Sequence, residues 1–465
     1  MSENSHFVGE IFVIPVLDQF LLYSPLHNFA ALMNLASVLR LRKELLSKDS
    51  NCAGQLGQIV PILKSRGKPV PSKKQGGLAP EFLGLLPTRD CNLSCRYCGF
   101  LSADESGKVM DLKLVRDAVD WYMRLITQSN KHHAEIHYFG GEPFCAEEVV
   151  DFSFHFARTR ARELGFTTRF EVATNGTFSQ SRCQWVADNL DTVVLSLDGP
   201  ADVHDQHRPR RGGTGSFETV ARNAKILSEG AAELCIRTCV TAETVGRMEE
   251  IASWLCQCYH PHAVCFEPVQ PTAQSREAGL FPPDPWRFAK SFIKAARILE
   301  AYGVEPIYAA SDISSLRVTF CPVGQDVAIV SPDGDINACY LLRRDWEAKG
   351  LDLRLGSIGD DGSVSLDTNA VEAARNMNVL NKTFCAHCFC RWHCAGGCHV
   401  NHILPPRHRD YDELCIQTRI ITLRNILRAM DREELTNSLL NNSAELEKSV
   451  RQFSDSLLEF GNAYG

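Results

Sequence analysis

The sequence predicts an α/β fold: a partial (β/α)6 TIM-like barrel, with a small α+β segment before it and a cysteine-rich domain after it. Three observations carry this. Short β-rich runs alternate with amphipathic helical stretches from residue 81 to about 303. Residues 1–48 break that alternation with closely spaced strands, and five cysteines crowd into residues 385–398.

At the N-terminus, residues 11–16, 20–23 and 29–33 read as strands, with a tight Leu17-Asp18-Gln19 connection that suggests a hairpin and a helix from about 34 to 46. Residues 64–77, KSRGKPVPSKKQGG, have the Lys/Gly/Pro content of a linker. Six candidate barrel strands follow, at 82–87, 135–139, 169–173, 192–197, 235–240 and 264–269. Helical patterns lie between them at 112–126, 147–164, 217–228, 245–258 and 286–302. Six β/α units in series imply a parallel sheet with helices outside, curled by right-handed crossovers. In such barrels the C-terminal strand ends carry the chemistry. Here they read Arg89-Asp90-Cys91, Gly140-Gly141-Glu142, Thr174-Asn175-Gly176, Asp198-Gly199 and Val240-Thr241. Beyond Cys415, helices near 416–430 and 443–460 read as docking on the body or on another subunit. The segments expected are 1–75, 76–310, 311–415 and 416–465.

A chain of 465 residues has room for two or three packed units. With 44% hydrophobic and 23% charged residues, its composition is that of a globular protein. A net charge of −7 without a basic block argues against nucleic acid or an anionic membrane as partner. No run approaches the roughly 18 apolar residues of a membrane span. The start, MSENSHFVGE, shows no basic region followed by an apolar one, so the expected location is cytoplasmic. Nineteen cysteines in a reducing compartment point to metal ligation rather than disulfides. Cys52, Cys183, Cys235, Cys239 and Cys256 fall in apolar periodic segments and read as buried core thiols.

Cys91-Asn92-Leu93-Ser94-Cys95-Arg96-Tyr97-Cys98 is the strongest chemical signal. Three thiolates in one loop can hold three irons of a four-iron cubane, whose corners need one ligand each. A structural zinc site or a ferredoxin cluster would want a fourth cysteine, and the next in sequence is Cys145. The fourth iron is then free to bind and activate a small molecule. The CxxxCxxC spacing at the first strand's end, with Tyr97 before the last cysteine, resembles the radical S-adenosylmethionine superfamily. That resemblance implies chelation of the methionine amine and carboxylate at the open iron. It further implies reductive cleavage to a 5′-deoxyadenosyl radical, and a flavodoxin- or ferredoxin-type electron donor.

Further motifs agree with the resemblance. Phe139-Gly140-Gly141-Glu142-Pro143 matches the family's GGEP motif. Paired glycines allow close backbone approach to a ligand, and Glu142 offers a carboxylate to the methionine ammonium. Thr174-Asn175 and Ser196 with Asp198 resemble strand ends that touch S-adenosylmethionine in relatives. Arg208, near His204-Asp205 and Gly215-Ser216-Phe217, is the expected partner of the methionine carboxylate.

Downstream, Cys321, Gly334 and Cys339, then Cys385, Cys388, Cys394 and Cys398, and finally Cys415, match the seven-cysteine pattern of SPASM domains. Carried over, Cys385, Cys388, Cys394 and Cys415 fill one auxiliary cluster, and Cys321, Cys339 and Cys398 hold another. Three [4Fe–4S] clusters are thus expected, with S-adenosylmethionine at the first. Some relatives have one more cysteine just before the Cys321 position. Residues 314–320, SSLRVTF, have none, which leaves that cluster an open iron or an unidentified ligand. Cys390 is a spare thiol or an alternate ligand, and the five histidines from His387 to His408 pack near the clusters or face solvent.

SPASM-bearing relatives mostly modify peptides or proteins. The expectation is a maturase that crosslinks or oxidises side chains of a ribosomally made precursor peptide, whose leader docks on the N-terminal segment as an added strand. The alternatives are a maturase of a protein partner, of the sulfatase formylglycine type or an enzyme crosslink, and a non-enzymatic iron–sulfur electron carrier. Sulfatase maturases place Asp directly after the cysteine equivalent to Cys339. Tyr340 stands there in this chain and disfavours formylglycine formation.

Overall fold

The computed structural model describes residues 8–47, 54–100, 107–402, 411–452 and 454–464. Cys52 and His408 lie outside them. By compactness the chain divides into two units. One is Met1–Lys73, Ala309–Phe320 and Asn378–Gly465; the other is Lys74–Tyr308 and Cys321–Met377.

The first unit opens with β1 (Phe12–Val16), β2 (Gln19–Ser24) and β3 (Phe29–Met33), an antiparallel sheet in that order. The expected hairpin is present: Val16 pairs with Gln19, and Leu17 takes a left-handed φ of 57° to close the turn. Asn34 caps the next helix, Leu35–Leu46, by accepting from the Ser37 N–H at 2.9 Å. That helix packs Val38, Leu41 and Leu45 on Val13 and Leu22 of the sheet, and Leu56, Val60 and Leu63 of a second helix, Gln55–Lys64, join them. The C-terminal region also contributes, because Phe12 bridges Ser456 and the Leu457 N–H donates to the Ile11 carbonyl at 2.7 Å. This pairing covers the outer edge of β1. Among the described residues no strand pairs with the outer edge of β3.

The helix expected near 416–430 is Glu413–Ala429. The one expected at 443–460 is instead two helices, Ser443–Arg451 and Leu457–Tyr464, preceded by Glu433–Asn441. The break falls where Asp455 and Ser456 lie against β1, a tertiary pairing that helical periodicity cannot reveal.

In the second unit, β4 (Leu83–Leu85), β5 (His133–Tyr138), β6 (Thr167–Thr174), β7 (Thr192–Ser196), β8 (Glu233–Val240) and β9 (Ala263–Pro268) form the expected six parallel strands, adjacent in chain order. The connecting helices include Leu112–Gln128, Glu147–Leu164, Phe217–Glu229 and Met248–Tyr259. The sheet is longer than predicted. It continues with β10 (Glu305–Ile307) beside β9, and with β11 (Ala328–Val330), β12 (Asp335–Asn337), β13 (Arg354–Ile358) and β14 (Val364–Leu366) beyond β4. Four of these added strands have three residues each, too few for an alternation signal.

Alternation also corrects one expectation. Cys183 and Cys256 are buried core thiols, but Cys235 and Cys239 share a half-exposed face of β8 with Arg237, while Leu234, Ile236, Thr238 and Val240 are buried on the other. The register sets up the site: Leu85 pairs with Tyr138, Tyr138 with Val172 and Thr174 with Leu195. The loops after β4, β5, β6 and β7 therefore emerge side by side.

Candidate active site and metal centre

The loop after β4 carries Cys91, Cys95 and Cys98, with Cys95 buried and the others half-exposed. It is fastened along its length to residues 207–211. Arg96 N donates to His207 O at 2.9 Å, Ser94 N to Pro209 O at 2.8 Å, and Leu93 bridges Arg210. Burial pushes the Cys91 and Cys95 thiols up to about 12. Such thiols keep their protons until a metal ion displaces them. The donor set fits iron in a second respect: the Cys91 sulfur accepts the Leu93 N–H at 3.5 Å and Asn175 Nδ2 at 3.5 Å, the kind of support ligand thiolates receive.

Gly140 and Gly141 explain how the next loop reaches this one. Gly141 N donates to Thr88 O at 3.2 Å and Glu142 N to Asp90 O at 2.7 Å. A Cβ on Gly141 would stand 2.1 Å from Asp90 O, and one on Gly140, at φ 144°, would stand 2.5 Å from Thr88 O. The close neighbour these glycines admit in this structure is the chain's own backbone.

Glu142, 2% exposed, is held by three donors. Thr174 Oγ1 at 2.7 Å and Phe144 N at 3.3 Å donate to Oε1, and Asn175 N at 2.7 Å donates to Oε2. Burial outweighs these donors and pushes the carboxyl up to about 7. A carboxylate has about four acceptor positions, so one remains open, on Oε2. Pro143 is buried and starts the short 3-10 turn Pro143–Ala146. Cys145, on the same turn, is brought to the rim of the cysteine loop, where its thiol accepts from the Asn92 backbone.

Asp198 is a hub. Tyr97 Oη donates to its Oδ2 at 2.6 Å, His207 Nδ1 lies 3.2 Å and Arg208 Nε 3.1 Å from the same oxygen, and Cys239 N donates to Oδ1 at 3.1 Å. Burial opposes its ionisation, yet the Arg208 guanidinium and then His207 hold it well below the usual carboxylate range. Arg208 lies over the Tyr97 ring at 5.3 Å, with Nη1 3.9 Å from the Cys95 sulfur. His204 and Asp205 brace this segment: His204 Nε2 meets Ser216 Oγ at 3.1 Å, and Asp205 accepts from Ser216 N and Phe217 N. Ser196 ends β7, half-buried. Asn92 and His207 were missed by sequence reasoning. Their one available signal was adjacency to Cys91 and Arg208.

Downstream, Tyr340 lies 4.7 Å from the Phe139 ring, and its hydroxyl would be 2.9 Å from a Cβ on Gly84 of β4. Cys321 and Cys339 belong to the second unit and Cys398 to the first. The Cys339 and Cys398 sulfurs accept backbone N–H groups, from Leu341 at 3.5 Å and Asn401 at 3.4 Å, as Cys91 does.

Within the first unit, Cys385, Cys388, Cys394 and Cys415 line one pocket, shared with Cys390. Burial raises Cys385 and raises Cys394 to about 11. Cys388 goes the other way: burial is overcome by a hydrogen bond with Cys390 and by the Arg419 guanidinium. Lys382 Nζ donates to Gly396 O at 2.6 Å nearby. Of the histidines expected to pack or face solvent, His402 pairs with Asp412 at 2.6 Å and lies 3.8 Å from the Cys415 sulfur. Those three residues could together ligate an ion. Four thiols lining one pocket suit a four-iron cluster.

Comparison with known proteins agrees with this geometry. Residues 85–255 match the model of the Radical SAM superfamily. A cysteine-type anaerobic sulfatase-maturating enzyme of Clostridium perfringens is 25% identical over 336 residues, 66% of this chain and 85% of the relative. A mycofactocin maturase of Mycobacterium ulcerans is 25% identical over 344 residues, 69% of this chain and 83% of the relative. The solved structure of native anSMEcpe with bound AdoMet superposes with a TM-score of 0.57 at 20% identity, covering 77% of this chain and 99% of that one. Among the described residues, no helix is long and apolar enough to cross a membrane.

Proposed function

We propose that this chain, whose residues 85–255 match the Radical SAM superfamily, is an enzyme that uses S-adenosylmethionine at the Cys91–Cys95–Cys98 loop to modify a side chain of a polypeptide. The observation that carries the reading is one continuous chain of hydrogen bonds from the cysteine loop through Asn175 to Glu142. It joins three separately recognised motifs. When bound, the cluster and S-adenosylmethionine would supply radical hydrogen-abstraction chemistry. Cys91, Cys95 and Cys98 hold three irons. Glu142, oriented by Thr174 and Asn175, would offer its open position to the methionine ammonium, and Arg208, held against Asp198, would pair with the methionine carboxylate. Tyr97, Gly140, Gly141, Pro143 and Ser196 shape the surrounding walls. Cys385, Cys388, Cys394 and Cys415 hold an auxiliary cluster, and Cys321, Cys339 and Cys398 a further one, three in all. A flavodoxin- or ferredoxin-type protein supplies the electron.

The named relatives favour a protein partner over a ribosomal precursor peptide, because sulfatase-maturating enzymes stand foremost among them. Tyr340, in place of an acidic residue, argues for an outcome other than formylglycine. A second reading keeps the precursor peptide, on one specific observation. The outer edge of β3 carries no paired strand among the described residues and can accept an extended leader.

Protein reconstituted anaerobically with iron and sulfide, then given dithionite and S-adenosylmethionine, should release 5′-deoxyadenosine. Replacing Cys91, Cys95 and Cys98 together by Ala should abolish release and remove about a third of the iron, one of three clusters. Stoichiometric zinc without labile sulfide would overturn the reading.

A further inference from the structure

We propose that Arg419 sets the reduction potential of the cluster held by Cys385, Cys388, Cys394 and Cys415, by holding a fixed positive charge against one ligand sulfur. The proposal rests on the reading that these four cysteines hold a cluster. Arg419 has no exposed surface, and its Nη1 donates to the Cys388 sulfur at 3.1 Å. The remaining N–H groups are all engaged: Nε with Val450 O at 2.8 Å, Nη2 with Ser449 O at 3.4 Å, and both Nη atoms with the Asp455 carboxylate at 2.7 and 2.9 Å. Five donors meet five acceptors, the full capacity of a guanidinium. The rings of Phe389, at 4.3 Å, and Tyr411, at 3.9 Å, confine it further. The cation therefore has no orientation in which it leaves the sulfur.

Burying a charge is expensive, and Asp455 alone would neutralise it without any contact to Cys388. The contact to sulfur is the part that asks for a function. One-electron reduction adds a negative charge to a cluster that four thiolates already make anionic. A buried cation on a ligand sulfur stabilises the reduced state more than the oxidised one, since both hydrogen bonds to sulfur and local charge tune such centres. Asp455 opposes it from one step further away. Its backbone ties this pair to the N-terminal sheet, through Val13 N donating to Asp455 O, and to the cysteine loop, through Asp455 N donating to His387 O at 3.0 Å. A cluster biased in this way accepts electrons in preference to donating them.

The two side chains give shifts of opposite sign, which makes the test independent of simple damage. Full-length protein reconstituted with iron and sulfide is titrated with dithionite through mediators, and the cluster's EPR signal is identified as the one lost in Cys388→Ala. Arg419→Gln should lower the reduction equilibrium constant tenfold or more, about 59 mV for a one-electron couple. Arg419→Lys, which keeps a charge without the fixed fork, should fall between it and wild type. Asp455→Asn should shift the midpoint upward. An unchanged midpoint in an iron-replete Arg419→Gln overturns the proposal, as does an unchanged or lowered one in Asp455→Asn. Should Arg419→Gln not retain iron, the sign of the Asp455→Asn shift decides. If Cys388→Ala loses no iron and no signal, it is the cluster reading that fails instead.

Discussion

Replacing Glu142 by Gln keeps its size and an acceptor oxygen while removing the charge that the methionine ammonium is expected to meet. Three of about four acceptor positions on the carboxylate are taken by Thr174, Asn175 and Phe144, so the ligand gains one charge-assisted hydrogen bond. Such a bond is worth roughly 1.5–3 kcal/mol, or about a 10- to 150-fold loss of affinity for S-adenosylmethionine. The pH profile carries a second signature. Burial places the Glu142 carboxyl at about 7, against 4.5 when free. Below about 7 it holds a proton and cannot serve the ammonium, so wild-type affinity should fall about tenfold per pH unit on the acid side and level off above pH 8. The Gln variant should show no such dependence across this range. For the ligand-free fold the sign is opposite. A raised carboxyl favours the folded state below its unfolded value, and that contribution is lost as pH rises through about 7. Anaerobic equilibrium dialysis with reconstituted protein at pH 6, 7 and 8 measures affinity directly. Wild-type affinity in Glu142→Gln, or a shared pH profile, would refute the assignment.

Gly141→Ala should displace the Cys91 loop, because the new Cβ meets the Asp90 carbonyl at 2.1 Å. Thermal unfolding should reveal a loss on the order of 1–3 kcal/mol, with reduced iron loading at that loop. Cys388→Ala should lose one auxiliary cluster yet still release 5′-deoxyadenosine, while modification of the true substrate falls; wild-type turnover would make that cluster only structural. If a leader pairs with β3, deuterium exchange should slow in residues 29–33 when the peptide is added. Proline at Ala30 or Ala31, whichever directs its N–H away from β2, should weaken that pairing. Deleting the N-terminal sheet is a poorer test than these substitutions. Glu10 binds Arg391 at 2.8 Å and Trp392 Nε1 at 2.7 Å, and Tyr23 Oη meets His393 Nε2 at 2.6 Å, so the sheet supports the cysteine loop itself.

Sequence by itself determined what depends on local pattern. Alternation and 3.6-residue periodicity located all six parallel strands, and their order followed from right-handed β/α crossovers alone. Cysteine spacing located both candidate metal loops, since residues on one short loop are close in space because they are close in the chain. Tertiary structure decided what depends on long-range pairing. The three-residue strands β11, β12 and β14 have too little chain for a period, and they exist because β4 presents an edge for β11 to pair with. The break in the predicted C-terminal helix exists because residues 455–457 complete the edge of β1. The sequence put Asp198 at a strand end, and only the tertiary structure joins it to Tyr97, His207, Arg208 and Cys239. Arg419 carries no motif at all, and only burial beside Asp455, Tyr411 and Cys388 gives it a role. Periodicity places a side chain on a face, whereas the charge that meets it there comes from residues far away in the chain.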